Sequence, residues 1–208
     1  MIKIAIIGQQ CSGKSTAAMY FQDATNMVDN TGPSVILKFA GAIYGALEAL
    51  KQPKNRGFMQ EFADVAKKYF GEHVLKNVFE KEVKEYENDR IVKMIICDDV
   101  RRFYELYCVL NLGFHVIALD VPRGIRKNRA ERLHLDFIEN HNSETEVPDI
   151  IQYCKDRQLG HVLIDAGGLT KDLLYETCIE ILKGLVDEKT DTWHQRIFDK
   201  SGRVYDNS

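Results

Sequence analysis

The chain opens with Met1-Ile2-Lys3-Ile4-Ala5-Ile6-Ile7-Gly8-Gln9-Gln10-Cys11-Ser12-Gly13-Lys14-Ser15-Thr16. Residues 2–7 form an apolar run of strand length, and residues 15–21 begin a helical pattern. Between them, Gly8 to Ser15 fit G-x-x-x-x-G-K-[ST] without a mismatch. A loop of this kind wraps so that successive backbone N–H groups face inward around phosphate oxygens, and the helix N-terminus adds positive potential. The motif assigns Gly8, Gln9, Gln10, Cys11, Ser12, Gly13, Lys14, Ser15 and Thr16 to the phosphates of ATP. Lys14 would neutralise charge on the β- and γ-phosphates, and the Ser15 hydroxyl would ligate Mg²⁺ between them. Thr16 is the alternative hydroxyl if the loop register shifts by one. Cys11 reads as a small loop residue whose thiol pKa the local positive potential would lower. The competing, purely structural reading is a Gly-rich turn beside a surface lysine.

Working outward, further apolar runs at residues 35–39, 92–97, 115–119 and 162–164 alternate with helical patterns. That rhythm predicts an α/β fold with a five-stranded parallel sheet flanked by helices. Ile43, Leu47 and Leu50, then Phe58, Phe62, Val65 and Tyr69, then Leu75, Phe79, Val83 and Tyr86 mark several helices between the second and third strands. Phe103, Leu106, Tyr107 and Leu110 recur at i, i+3, i+4 and i+7, with Gly113 placed as a left-handed cap. Residues 122–158 are polar and read as an excursion over the sheet rather than core. A closing helix carries Leu173, Leu174, Thr177, Ile181 and Leu185, and residues 187–208 read as a polar tail, loose or docked on a partner.

The 208 residues carry 28 Lys+Arg against 31 Asp+Glu, a net charge of −3, so no general basic field invites nucleic acid. Five scattered cysteines without a C-x-x-C pair suggest neither a disulfide framework nor a zinc site. The opening run is too short to span a bilayer and lacks a cleavage signature, so neither a signal peptide nor a membrane span is expected. These features fit a cytoplasmic protein acting on small molecules.

Two further clusters carry chemistry. Ligands of open α/β sheets bind at the carboxyl ends of strands, where Asp98 and Asp99 end the third apolar run and Arg101 follows. A carboxylate there can reach the Mg²⁺ shell or cap the next helix. Arg123, Arg126, Arg129 and Arg132 recur every three residues, so on one helix only two or three share a face. Arg126 and Arg129 are the favoured pair for stabilising phosphoryl-transfer charge. The alternative is a solvated basic helix paired with Glu131, Asp136 and Glu139.

Gly8–Ser15, Phe39-Ala40-Gly41-x-Ile43-x-x-Ala46-Leu47, Asp99-Val100-Arg101 with Glu105, Gly113-x-x-Val116-Ile117 and His141-x-Ser143-Glu144 occur in this order. Over roughly residues 1–185 the pattern resembles the phage-type deoxynucleoside monophosphate kinases, in the wider P-loop group that includes dephospho-coenzyme A kinases. The resemblance implies a P-loop NTPase fold with a kinase domain over residues 1–186, a mobile lid near 122–150 and a helical acceptor-binding region near 40–90. It also implies Mg²⁺-dependent transfer from ATP to a deoxynucleoside monophosphate, in a host cytoplasm if the gene is viral. Lys14, Arg101, Arg126 and Arg129 would be catalytic. Ser15 and Asp99 would hold the metal, and Phe39, Tyr44, Gln60, Asp99 and Arg101 would bind the acceptor. The tail has no counterpart in the family and leaves a homodimer open. Dephospho-coenzyme A phosphorylation, a regulatory nucleotide-binding module and a nucleic-acid end kinase are the alternatives.

Overall fold

The computed structural model describes residues 1–29, 31–137, 144–165, 167–187, 194–200 and 203–207. Seven strands form one sheet in the order β2-β3-β1-β4-β5-β6-β7. They are β1 (Ile2–Gly8), β2 (Ser34–Leu37), β3 (Met94–Val100), β4 (His115–Asp120), β5 (His161–Asp165), β6 (His194–Phe198) and β7 (Val204–Asn207). Each neighbouring pair from β2 to β6 is parallel, and β7 closes the edge antiparallel to β6.

The pleat sends alternate residues of the central strands to opposite layers. Ala5, Ile7, Ile95, Cys97, Val116 and Ala118 face one core with α4 (Val74–Glu87), α5 (Phe103–Asn111) and α7 (Val147–Asp156). Ile4, Ile6, Met94, Ile96, Ile117 and Leu119 face the other with α1 (Lys14–Ala24) and α8 (Lys171–Val186). Continuous apolar strands are what a sheet covered on both faces requires. Three further helices lie over the rest of the chain: α2 (Gly41–Ala49), α3 (Arg56–Phe70) and α6 (Arg123–Arg132). Gly113 takes φ 73° after α5, the left-handed cap read from the sequence.

Two expectations change. The sheet has seven strands rather than five, because part of the polar tail forms β6 and β7 and buries Phe198 in the core. The ladder that makes β6 a strand runs to β5, from His161↔His194 to Asp165↔Phe198, and tertiary pairing of this kind leaves little local pattern. The stretch 122–158 is not all excursion either. Val147, Ile150, Ile151 and Cys154 form an i, i+3, i+4, i+7 stripe in the core, masked in the sequence by the polar residues around it. Glu139, His141, Ser143 and Trp193 lie outside the described residues.

Candidate active site

At the carboxyl end of β1 the chain cannot carry a side chain at Gly8, where a Cβ would stand 2.4 Å from Ser12 Oγ and 3.2 Å from the Leu119 carbonyl. Cys11 turns at φ 60° and Gly13 at φ 104°, left-handed conformations that fold residues 9–13 back and release the chain into α1 at Lys14. The Ser12 hydroxyl is buried and has no hydrogen-bond partner among the described residues. Thr16 lies within the first turn of α1.

Lys14 folds along this loop, and its Nζ donates to the carbonyls of Gly8 at 2.5 Å and Gln9 at 2.8 Å. Burial, and secondarily the Arg101 guanidinium, depress its pKa to about 8. Cys11 departs from expectation. Burial raises its thiol pKa and outweighs the lowering influence of Lys14, Arg126 and Arg129.

The carboxylates at the end of β3 owe their orientation to a slip in register. Ala5 pairs with Cys97 and Ile7 with Val100, so Asp98 and Asp99 together stand opposite the single residue Ile6. This two-against-one count is that of a β-bulge, a device that re-aims side chains beside functional sites. Asp98 meets α1: its Oδ2 accepts from the Ser15 hydroxyl at 2.9 Å, and its Oδ1 pairs with the Lys38 ammonium. Burial alone would raise the Asp98 pKa, but Lys38 and Ser15 hold it below the ordinary value. Asp99 turns to α2 and accepts from the backbone N–H groups of Phe39 at 3.0 Å and Ala40 at 3.1 Å. Of the two carboxylates, Asp98 contacts the loop hydroxyl, whereas Asp99, the one expected in the metal shell, is occupied by backbone amides. Among the described residues no three His, Cys, Asp or Glu cluster to hold a metal alone. Ser15 and Asp98 place two hard oxygens 2.9 Å apart, a donor type that Mg²⁺ favours.

Arg126 is buried and Arg129 half-buried, while Arg123 and Arg132 are exposed on α6. Arg126 Nε donates to the Val121 carbonyl at 3.0 Å, and its guanidinium stands over the Phe137 ring. Arg129 donates to the Ser12 carbonyl at 3.3 Å and pairs with Asp165 at 2.5 Å. Arg101 pairs with Glu144 at 2.6 Å, and the same carboxylate accepts from the Gln10 N–H at 2.9 Å. Lys14, Arg101, Arg126 and Arg129 thus surround one loop.

The acceptor candidates fare differently. Phe39 is buried and stacks on Phe79 with ring centroids 4.1 Å apart, which makes it a core residue rather than a platform for a base. Tyr44 is half-buried on α2 with Lys54 over its ring, and Gln60 lies on α3, which packs on α2 and α4. Lys38, Glu144 and Asp165 escaped prediction as site residues. Lys38 and Asp165 also sit at the carboxyl ends of strand runs, so the rule that singled out Asp98 and Asp99 could have found them.

No family model and no curated protein matches the chain. Solved structures similar to the chain share little of its sequence. A shikimate kinase from Bacteroides thetaiotaomicron has 15% identity over 89% of this chain and 98% of its own, with TM-score 0.47. A shikimate kinase from Acinetobacter baumannii, solved with shikimate, has 13% identity over 91% and 95%, with TM-score 0.47. A sugar kinase from a Janibacter species has 15% identity over 88% and 94%, with TM-score 0.49. Likeness at this level does not extend to substrate. Among the described residues no helix is long and apolar enough to cross a membrane.

Proposed function

We propose that the protein is a P-loop kinase that transfers the γ-phosphoryl group of ATP to a deoxynucleoside 5′-monophosphate. The observation that carries this reading is the Ser15–Asp98 contact beside Lys14, within a loop flanked by Arg101, Arg126 and Arg129. Backbone N–H groups of residues 9–15 and Lys14 would hold the donor phosphates. Arg126 and Arg129, already turned to the loop, would stabilise charge on the transferred group. Arg101, next to the bulged carboxylates, would hold the acceptor phosphate, with α2 and its Tyr44 nearest the acceptor nucleoside. An acceptor phosphate is already anionic, so no general base is demanded, and catalysis rests on positioning and electrostatics. Ser15 and Asp98 would hold Mg²⁺, which when bound neutralises phosphate charge. The resemblance to phage-type kinases supports the deoxynucleotide acceptor, and a homodimer remains compatible with it.

The test is ADP release from Mg-ATP across a panel of deoxynucleoside and ribonucleoside monophosphates and dephospho-coenzyme A, with Lys14→Ala as control. Lys14-dependent turnover with a deoxynucleotide is the expected result. Turnover with dephospho-coenzyme A alone would keep the chemistry and replace the acceptor. Hydrolysis indifferent to every acceptor would overturn the kinase reading.

A further inference from the structure

Glu144 is an acid buried inside a basic site. Its two carboxylate oxygens accept from the Gln10 backbone N–H at 2.9 Å and from Arg101 at 2.6 Å, and it is 4% exposed. Two residues on, Glu146 binds the neighbouring arginine, Arg102, at 2.7 Å and the Phe103 N–H at 3.0 Å. The start of α7 is thus strapped to the start of α5, and Glu144 is delivered to the mouth of the loop. An anion bridging a loop N–H and a guanidinium has the recognition chemistry of a phosphate oxygen pair. Lys14 senses it too: the Glu144 charge favours its ammonium while Arg101 opposes it.

We propose that Glu144 is an internal competitor for the phosphate site, an autoinhibitory carboxylate that the incoming polyphosphate must displace from Gln10 and Arg101. The proposal rests on the nucleotide-binding reading of the loop. Two anions cannot share one desolvated N–H and guanidinium without strong repulsion, so occupancy by phosphate and by Glu144 exclude each other. Glu146 would keep α7 docked during the exchange, because its partners lie outside the loop.

The experiment is calorimetric titration of the full chain with inorganic tripolyphosphate, comparing the wild type with Glu144→Gln, Glu146→Gln and Lys14→Ala. Removing the competing charge should tighten tripolyphosphate binding by about tenfold in Glu144→Gln and leave Glu146→Gln near wild type. Unchanged or weaker binding in a folded Glu144→Gln variant would overturn the proposal and make Glu144 a positioning residue for Arg101. If that variant does not fold, hydrogen exchange on the wild type decides. Tripolyphosphate should speed exchange in the peptide starting at Glu144 if the carboxylate is expelled, and slowed exchange would refute expulsion. Absence of any Lys14-dependent tripolyphosphate binding would sink the nucleotide reading itself and this inference with it. Binding that Glu144→Gln leaves unchanged would sink this inference alone.

Discussion

The Ser15 hydroxyl stands 2.9 Å from Oδ2 of Asp98, while the adjacent Asp99 points its carboxylate to the backbone of Phe39 and Ala40. Two consecutive acids therefore do different work. Asp98→Asn should lower Mg²⁺-dependent turnover by about 10- to 100-fold and also lower the melting temperature, because Lys38 loses its ion pair. Asp99→Ala should strand two amides at the start of α2 and cost about 2 kcal/mol, which a melting curve would register as a drop of about 4–8 °C. Equal losses of turnover in the two variants would contradict this division.

Lys14 makes binding pH-dependent in a calculable direction. Its pKa near 8 in the free protein should rise once phosphate replaces the loop carbonyls as its partner. Nucleotide binding at pH 9 then takes up about one proton, and affinity falls as pH climbs through 8 while levelling off only well below it. Calorimetry in buffers of different ionisation enthalpy would measure the uptake. No uptake at pH 9 would mean that Lys14 does not contact the ligand.

The register of α6 separates its arginines. Arg126→Ala and Arg129→Ala should each reduce phosphoryl transfer by about 100-fold or more, whereas exposed Arg123→Ala should leave the rate unchanged. Arg129→Lys should not rescue, since the guanidinium serves the Ser12 carbonyl and Asp165 together. Steady-state rates of the four variants settle the point.

Glu105 caps α5 by accepting from the N–H groups of Arg101 at 2.7 Å and Arg102 at 3.1 Å. Burial, with the Asp99 charge adding to it, pushes its pKa up to about 7. A carboxyl whose pKa is higher folded than unfolded holds its proton longer in the native state. Stability should therefore fall as pH rises from about 4.5 to 7, by at most about 3 kcal/mol from this group. Urea unfolding across that range should show the decline, and Glu105→Gln should flatten it.

Phe198 is 1% exposed in the core beneath α8 although it belongs to the polar final segment. Phe198→Ala should destabilise by about 3–5 kcal/mol, measured by denaturant titration. A loss under about 1 kcal/mol would indicate that β6 is dispensable to the domain.

Much of this molecule is written locally. Gly8, Gly13, Lys14 and Ser15 define their loop by spacing alone, since the close approach at Gly8, the left-handed turn at Gly13 and the helix beginning at Lys14 are properties of a few adjacent residues. The apolar runs of β1, β3 and β4 are legible because a sheet covered on both faces needs no alternation. The three-residue spacing on α6 likewise limits how many of its arginines can share a face, while burial in the fold selects Arg126 and Arg129.

What the sequence could not order was anything set by pairing between distant segments. The bulge that turns Asp98 to Ser15 and Asp99 to α2 exists only in the register of β3 against β1. Strand β6 exists only through its ladder to β5, and Phe39 became a core residue only once α4 brought Phe79 onto its ring. Local spacing thus determined the Gly8–Ser15 loop and the α/β alternation. The tertiary structure decided which acid meets the loop hydroxyl and which carboxylate fills the loop mouth, because those choices depend on contacts spanning 83 and 134 residues of chain.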